Sequence, residues 1–255
     1  MRLALRGMLL VGLLVASGAL RARAEALDEA LYAGLLERHT RSVPATVGTQ
    51  VDYSALRGSA GWRELVADLS RVDPAALAGR PQELAFWINA YNILAIDLIV
   101  RHPRVASIRD IGSLLRPVWE REAGRIGGEP YSLGRIEHRI LRPMGDPRIH
   151  VAIVCASTSC PSLRRQPFTA AQIDSELDES ARRFLASPTK GMRLEPGAVR
   201  VSRILDWFEE DFEPSGGVPA FLRRHAPAAL RPSLGEDLRI RYLDYDWTLN
   251  AWDGS

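Results

Sequence analysis

Cysteine is scarce in this 255-residue chain, which contains two, and lysine is scarcer still, with Lys190 as the only one. Two cysteines cannot supply the separated cysteine pairs of a zinc site, and the histidines lack finger-like spacing. We therefore expect no bound metal and no cofactor. We interpret the scarcity of lysine as a coding bias and not as a functional signal.

The sequence also lacks a concentrated basic face. It has 33 Lys and Arg against 31 Asp and Glu, and the first 24 residues hold four arginines and no acid. Without that segment, 29 basic residues face 31 acidic ones, so the remaining chain is close to neutral. Proteins that bind nucleic acid concentrate positive charge, and this composition excludes that class.

The first 24 residues have the order of a secretory signal peptide. A basic start at residues 1–7 precedes an apolar run at 8–20, and Ala22 and Ala24 form the small-residue cleavage site. The run of about 13 residues is shorter than the ~20 that cross a bilayer. An uncleaved membrane anchor is the alternative. We predict cleavage after Ala24, a mature protein in the periplasm or secreted, and no transmembrane segment after signal removal.

Residues 25–255 read as one globular domain with no internal repeat and no long linker. Apolar periodicity and β-branched runs predict secondary structure along the whole domain. The predicted helices cover residues 25–39, 62–69, 82–101, 133–142, 169–185, 203–212 and 218–225. The predicted strands and hairpins cover residues 118–131, 148–155, 192–202 and 238–243. This order predicts an α+β domain with helices packed on a mainly antiparallel sheet.

The two cysteines lie close together, in the sequence VCASTSCP. The predicted strand over 148–155 places Cys155 at its end, facing a loop. Exported cysteine pairs commonly form structural disulfides, but a bridge across so short a loop contributes little chain entropy. Three interpretations stay open: a Cys155–Cys160 disulfide, a nucleophilic thiol at Cys155, and inert packing.

A nucleophilic cysteine needs an imidazole to hold it as thiolate, and a group that orients this imidazole. On a strand, His150 and Cys155 would face opposite sides, which argues against a direct pair. His138 is therefore the expected base. Glu137 is a candidate to orient it, although neighbouring helix residues point about 100° apart. Either histidine can equally be a structural side chain.

The sequence FWINAYN forms a second dense cluster. Asn89 and Asn92 share one helix face, and buried amides need partners. These amides either belong to a polar site, with Asn92 as a further candidate to orient the base, or tie a loop to the helix. Trp87 and Tyr91 in the same segment are candidates for ligand binding.

Five blocks, in order, resemble domain-of-unknown-function family 547: FWINAYN, IEHRILR, DPRIHVAIVCASTSCPSL, ILDWFEEDF and YLDYDWTLN. The resemblance spans about residues 51–250. It implies that seven positions match the motif blocks of the family, namely Asn89, Asn92, Glu137, His138, His150, Cys155 and Cys160. A papain-like or transglutaminase-like fold follows only by weak analogy.

Two functional hypotheses follow. In the first, the protein is a thiol-dependent hydrolase or acyl transferase with Cys155 as nucleophile and His138 as base. In the second, it is a non-enzymatic envelope module with a structural disulfide. This module would bind a small molecule, peptide or glycan around Trp87, Tyr91 and Trp207.

Overall fold

The computed structural model describes residues 26–43, 48–235 and 239–252, so the predicted signal peptide lies outside the described residues. Helices make up most of the regular structure. In chain order they are α1 (Glu29–His39), α2 (Tyr53–Gly58), α3 (Ala60–Arg71), α4 (Arg80–Arg101), α5 (Leu133–Ile136), α6 (Ile173–Leu185), α7 (Ile204–Trp207), α8 (Glu209–Phe212) and α9 (Gly217–His225).

The strands are short and form three small sheets. They are β1 (Thr40–Val43), β2 (Gly48–Val51), β3 (Gly124–Ile126), β4 (Glu129–Tyr131), β5 (Met192–Glu195), β6 (Ala198–Val201) and β7 (Arg239–Tyr242). The pairs β1–β2, β3–β4 and β5–β6 are antiparallel, and β7 joins β6 in parallel. This architecture confirms the predicted α+β class, and both predicted hairpins are present.

Helix α4 is the centre of the fold. Pro81 lies in its first turn, where a missing N–H costs no hydrogen bond, and every residue from 84 to 100 is buried. By length and composition alone, α4 could also cross a membrane. Because 94% of its most apolar window is buried inside the protein, core packing accounts for this composition.

Two apolar clusters surround the functional region. The first packs around α4 and includes Trp62 and Leu94. The second joins α6, α9 and the three-stranded sheet, and includes Phe184 and Phe221. Fully burying each such side chain contributes about 1.5–3 kcal/mol. The segment 149–160 runs between the clusters and supplies residues to both.

The strand predicted over residues 148–155 is wrong. A 3-10 helix occupies Pro147–Val151, capped by the Asp146 side chain, which accepts a hydrogen bond from the Arg148 N–H. The Ala152 N–H continues this turn by donating to the Ile149 carbonyl. A β-branched run signals burial, and here the buried segment follows a proline that favours a helical start.

Helix α6 begins later than predicted. Gln172 precedes its first turn, whereas the predicted helix starts at Thr169. The Thr169 N–H instead donates to the Glu176 carboxylate at 2.8 Å. This acceptor lies seven residues along the chain, beyond the range of a local capping pattern.

Candidate functional site

A cleft of about 240 Å³ opens between the two apolar clusters. Cys155 and Cys160 lie in it together with two histidines and a carboxylate. The remaining lining is largely aromatic. The lining residues are Tyr91, Trp119, Glu137, His138, His150, Ile153, Cys155, Cys160, Ile204, Trp207, Phe208, Tyr245 and Trp247.

Asn92 on α4 holds the chain segment that leads to Cys155. Its Nδ2 donates to the Ala152 carbonyl at 3.1 Å, and its Oδ1 accepts from the Val154 N–H at 2.8 Å. Asn89, one turn earlier, bonds both backbone groups of Phe168 in the same way. The two amides therefore tie loops to α4, which was one of the two interpretations left open.

The backbone bends sharply after Cys155. Ala156 has a φ of +61° and is the only residue other than glycine with a positive φ in the described part of the chain. The left-handed region costs such a residue about 1–2 kcal/mol. The strain lies next to the candidate nucleophile, as backbone strain at functional sites often does.

The Cys155 sulfur makes three polar contacts. Its Sγ lies 2.7 Å from the Sγ of Cys160, 3.3 Å from the Ser157 Oγ and 3.3 Å from the Tyr245 hydroxyl oxygen. Both cysteines are free thiols. The Cys155 N–H also donates to the Cys160 Sγ at 2.9 Å. No imidazole is among the hydrogen-bond partners of Cys155 within the described residues.

These contacts separate the acidities of the two thiols. Hydrogen bonding from Cys160, with smaller contributions from Ser157 and Tyr245, lowers the pKa of Cys155 despite its burial. Burial and the neighbouring Cys155 raise the pKa of Cys160. Hydrogen bonds to a charged form stabilise that form, so Cys155 is the thiol that ionises first.

His150 is held by a chain of charged groups. Its Nε2 lies 2.6 Å from Asp211 Oδ2, and the Arg142 guanidinium makes a bidentate pair with the same carboxylate at 2.6 and 2.9 Å. The ring also stacks on Phe208, with the ring centres 4.0 Å apart. Asp211 and Phe208 therefore fix the position of the imidazole, and Arg142 holds the carboxylate.

The protonation of His150 follows from its surroundings. Burial lowers its pKa to about 4, so the ring is neutral at pH 7. A carboxylate accepts hydrogen bonds, which assigns the ring proton to Nε2 and leaves a lone pair on Nδ1. This Nδ1 is buried, has no hydrogen-bond partner among the residues that the structure describes, and lies 3.9 Å from Glu137 Oε1.

Glu137 is a carboxylate that titrates near neutrality. Burial, reinforced by the charge of Cys155, raises its pKa to about 7. It begins a π-helical turn, Glu137–Leu141, directly after α5. Such turns are rare and occur frequently at functional sites. The site thus contains two carboxyl groups with different protonation at pH 7, since hydrogen bonds from Arg142 and His150 lower the pKa of Asp211 despite its burial.

His138, the predicted base, lines the cleft but contacts the Arg142 Nη1 at 3.2 Å. Burial and Arg142 lower its pKa. The prediction that His150 and Cys155 face opposite sides is wrong, because no strand connects them and both line the cleft. Trp87 lies outside the cleft and packs against Phe86 and Tyr131.

Asp211, Arg142 and Tyr245 are further site residues that were not predicted from the sequence. Asp211 and Tyr245 lie in the ILDWFEEDF and YLDYDWTLN blocks, which supplied the available signal. Asp211 is 61 residues from its partner His150, so no local spacing reveals the contact. No group of three or more His, Cys, Asp or Glu in the described ranges could hold a metal ion.

Residues 74–185 match the model of a family described as "Protein of unknown function, DUF547". This match confirms the resemblance that the motif blocks indicated, over a shorter range than residues 51–250. It includes α4, Glu137, His150 and both cysteines, whereas Asp211 and Tyr245 lie beyond it. No curated protein and no solved structure matches the chain.

Proposed function

We propose that the protein is a thiol-dependent hydrolase or acyl transferase with Cys155 as its nucleophile. The observation that carries this proposal is the set of contacts on the Cys155 sulfur. Three polar groups favour its thiolate at the wall of an open cleft. Because the thiolate is the nucleophilic form, a thiol in these surroundings reacts at neutral pH.

The geometry favours His150 over His138 as the base. Asp211 orients the His150 ring, and the free Nδ1 can accept a proton. Within the described residues, His138 hydrogen-bonds to Arg142 and not to a carboxylate, so its ring lacks such an orienting partner. An imidazole oriented by a carboxylate is the arrangement that general-base catalysis requires.

The proposed reaction has two steps. The Cys155 thiolate attacks an acyl carbonyl carbon, the bond to the leaving group breaks, and protonated Glu137 supplies a proton to that group. The product is a Cys155 thioester. In the second step His150 takes a proton from water or from an acceptor hydroxyl or amine, whose attack releases the acyl group and the thiolate. Proton exchange with solvent then restores neutral His150 and protonated Glu137 for the next turnover.

The wall of the cleft supports a substrate with a flat or apolar surface. Trp207 lies 4.8 Å from Tyr245 and 5.7 Å from Trp247, between ring centres, and Trp247 contacts Trp119 at 5.7 Å. Arginine and lysine are absent from the lining residues of this cleft in the described chain. Small acyl esters, peptides and glycans all present such surfaces.

The test is acylation by p-nitrophenyl acetate, followed by intact-mass and peptide analysis. We expect an acetyl group on Cys155 and slow turnover, both lost in Cys155→Ser. Asp211→Asn should lower turnover about 100-fold or more, since it removes the group that orients the base. Glu210→Gln is the matched control, because its side chain is 77% exposed on the same Arg142, and should change turnover less than about twofold. Acetylation elsewhere, or none, would contradict the proposal.

A second candidate is the non-enzymatic binding module, which the aromatic wall favours. It predicts a ligand-dependent change in the fluorescence of Trp207 and Trp247 that survives Cys155→Ser. Binding that persists in this variant, together with no acylation of the wild type, would select this candidate.

We also propose export to the periplasm or out of the cell. The support is the order of residues 1–24 in the sequence. The first residue of the exported protein, read by mass spectrometry, should be Glu25. A chain that retains Met1 would reject the proposal.

A further inference from the structure

The loop between the two cysteines is held at both ends. The Cys160 carbonyl accepts a hydrogen bond at 2.7 Å from Lys190, which is the only lysine of the chain and is buried. At the other end, Ala156 adopts its left-handed conformation. We interpreted the scarcity of lysine as a coding bias. The one lysine of the chain nevertheless holds the backbone beside the thiols.

The C-terminal segment fixes the middle of this loop. The Thr158 N–H donates to the Thr248 carbonyl at 2.7 Å, and the Asp246 N–H donates to the Ser159 Oγ at 2.8 Å. These bonds hold Cys155 and Cys160 with their sulfur atoms 2.7 Å apart. The two thiols can therefore be joined without a large movement of the backbone.

The two thiols differ in access. Cys155 is partly exposed and lines the cleft, whereas Cys160 is 3% exposed. A reagent that enters the cleft meets the sulfur of Cys155 first. Cys160 also lines the cleft but is more deeply buried, and its sulfur contacts the one that would carry the adduct.

We infer a second activity that goes beyond acyl chemistry, in which Cys155 and Cys160 form a dithiol couple that reduces a disulfide substrate entering the cleft. The Cys155 thiolate attacks one sulfur of the substrate disulfide. That disulfide bond breaks, and the first substrate thiolate leaves. Cys160 then loses its proton to solvent and attacks Cys155 Sγ. The second substrate thiolate leaves, and the Cys155–Cys160 disulfide remains.

The reaction is balanced as a two-electron exchange. The substrate disulfide gains two electrons and becomes two thiols, and the protein dithiol loses two electrons and becomes a disulfide. An external thiol of the dithiothreitol class regenerates the dithiol by the reverse exchange. The substrate class is a disulfide small or flat enough for an aromatic cleft.

The experiment uses 5,5′-dithiobis(2-nitrobenzoate) as the disulfide, added to the full chain after native reduction and removal of dithiothreitol. The wild type should release two thionitrobenzoate ions per chain and retain none. Cys160→Ser should release one and keep the other as a mixed disulfide on Cys155. Cys155→Ser should react roughly tenfold or more slowly, since only the buried thiol remains.

The wild-type stoichiometry decides the inference even if a variant does not fold. Retention of thionitrobenzoate on wild-type Cys155 would overturn it, because Cys160 would then fail to resolve the adduct. Absence of release after native reduction would also overturn it, since the pair would be inaccessible or permanently bridged. Acetylation of reduced Cys155 is measured separately, so failure of the acyl proposal is distinguishable from failure of the dithiol couple.

Discussion

Replacing Asn92 by alanine should both destabilise the protein and disturb Cys155. The substitution removes two hydrogen bonds and leaves the Ala152 carbonyl and the Val154 N–H without their partner. Each buried group left unpaired costs about 1–3 kcal/mol. We therefore expect the free energy of unfolding to fall by about 2–6 kcal/mol, measured by urea denaturation.

Asn89→Ala is the matched control for this prediction. Asn89 lies on the same helix, is equally buried, and makes the corresponding two bonds to Phe168. Asn89→Ala should lower the free energy of unfolding by a similar amount, yet leave the alkylation rate of Cys155 unchanged in the folded protein. Asn92→Ala should change that rate, because the backbone it holds adjoins Cys155. A loss below about 1 kcal/mol for Asn92→Ala, or equal effects of both variants on alkylation, would refute this reasoning.

Two further predictions concern the charges and the backbone of the site. Because the folded-state pKa of Glu137 is about 7 against an ordinary 4.5, the folded state binds that proton more tightly, and stability falls as pH rises through this window. The free energy of unfolding of Glu137→Gln should therefore rise by on the order of 3 kcal/mol relative to that of the wild type between pH 4.5 and 8. A difference in urea midpoint between variant and wild type that is the same at pH 4.5 and at pH 8 would contradict this. Ala156→Gly should keep the free energy of unfolding within about 1 kcal/mol, since glycine tolerates positive φ. Ala156→Val should lower the free energy of unfolding by more than about 2 kcal/mol. An unchanged midpoint of thermal unfolding in this variant would contradict the backbone strain at Ala156.

The sequence predicted the elements with strong local signals. Helix α4, with its unbroken apolar run, was expected over residues 82–101 and is found at Arg80–Arg101. The hairpin β5–β6 falls within the predicted range 192–202 and has Gly197 at a positive φ, which its turn requires. Both rest on interactions between residues close in the chain.

The segment before Cys155 shows where such prediction ends. Its run of valine and isoleucine indicates that the segment is buried, but burial alone does not distinguish a strand from a buried turn. The pair of His150 and Asp211 was missed for a related reason, because a contact between distant residues depends on how α8 packs beside the cleft. Local periodicity contains no information about that packing.

The central claim, that Cys155 is an activated nucleophile, is tested most directly by its alkylation rate as a function of pH. Hydrogen bonding from Cys160, Ser157 and Tyr245 lowers the pKa of this thiol below its ordinary value. With iodoacetamide on the reduced protein, the rate at Cys155 should reach half its maximum at least one pH unit below the ~8.5 of an ordinary thiol. Tyr245→Phe should move this midpoint upward. A wild-type midpoint at or above ~8.5 would contradict the account.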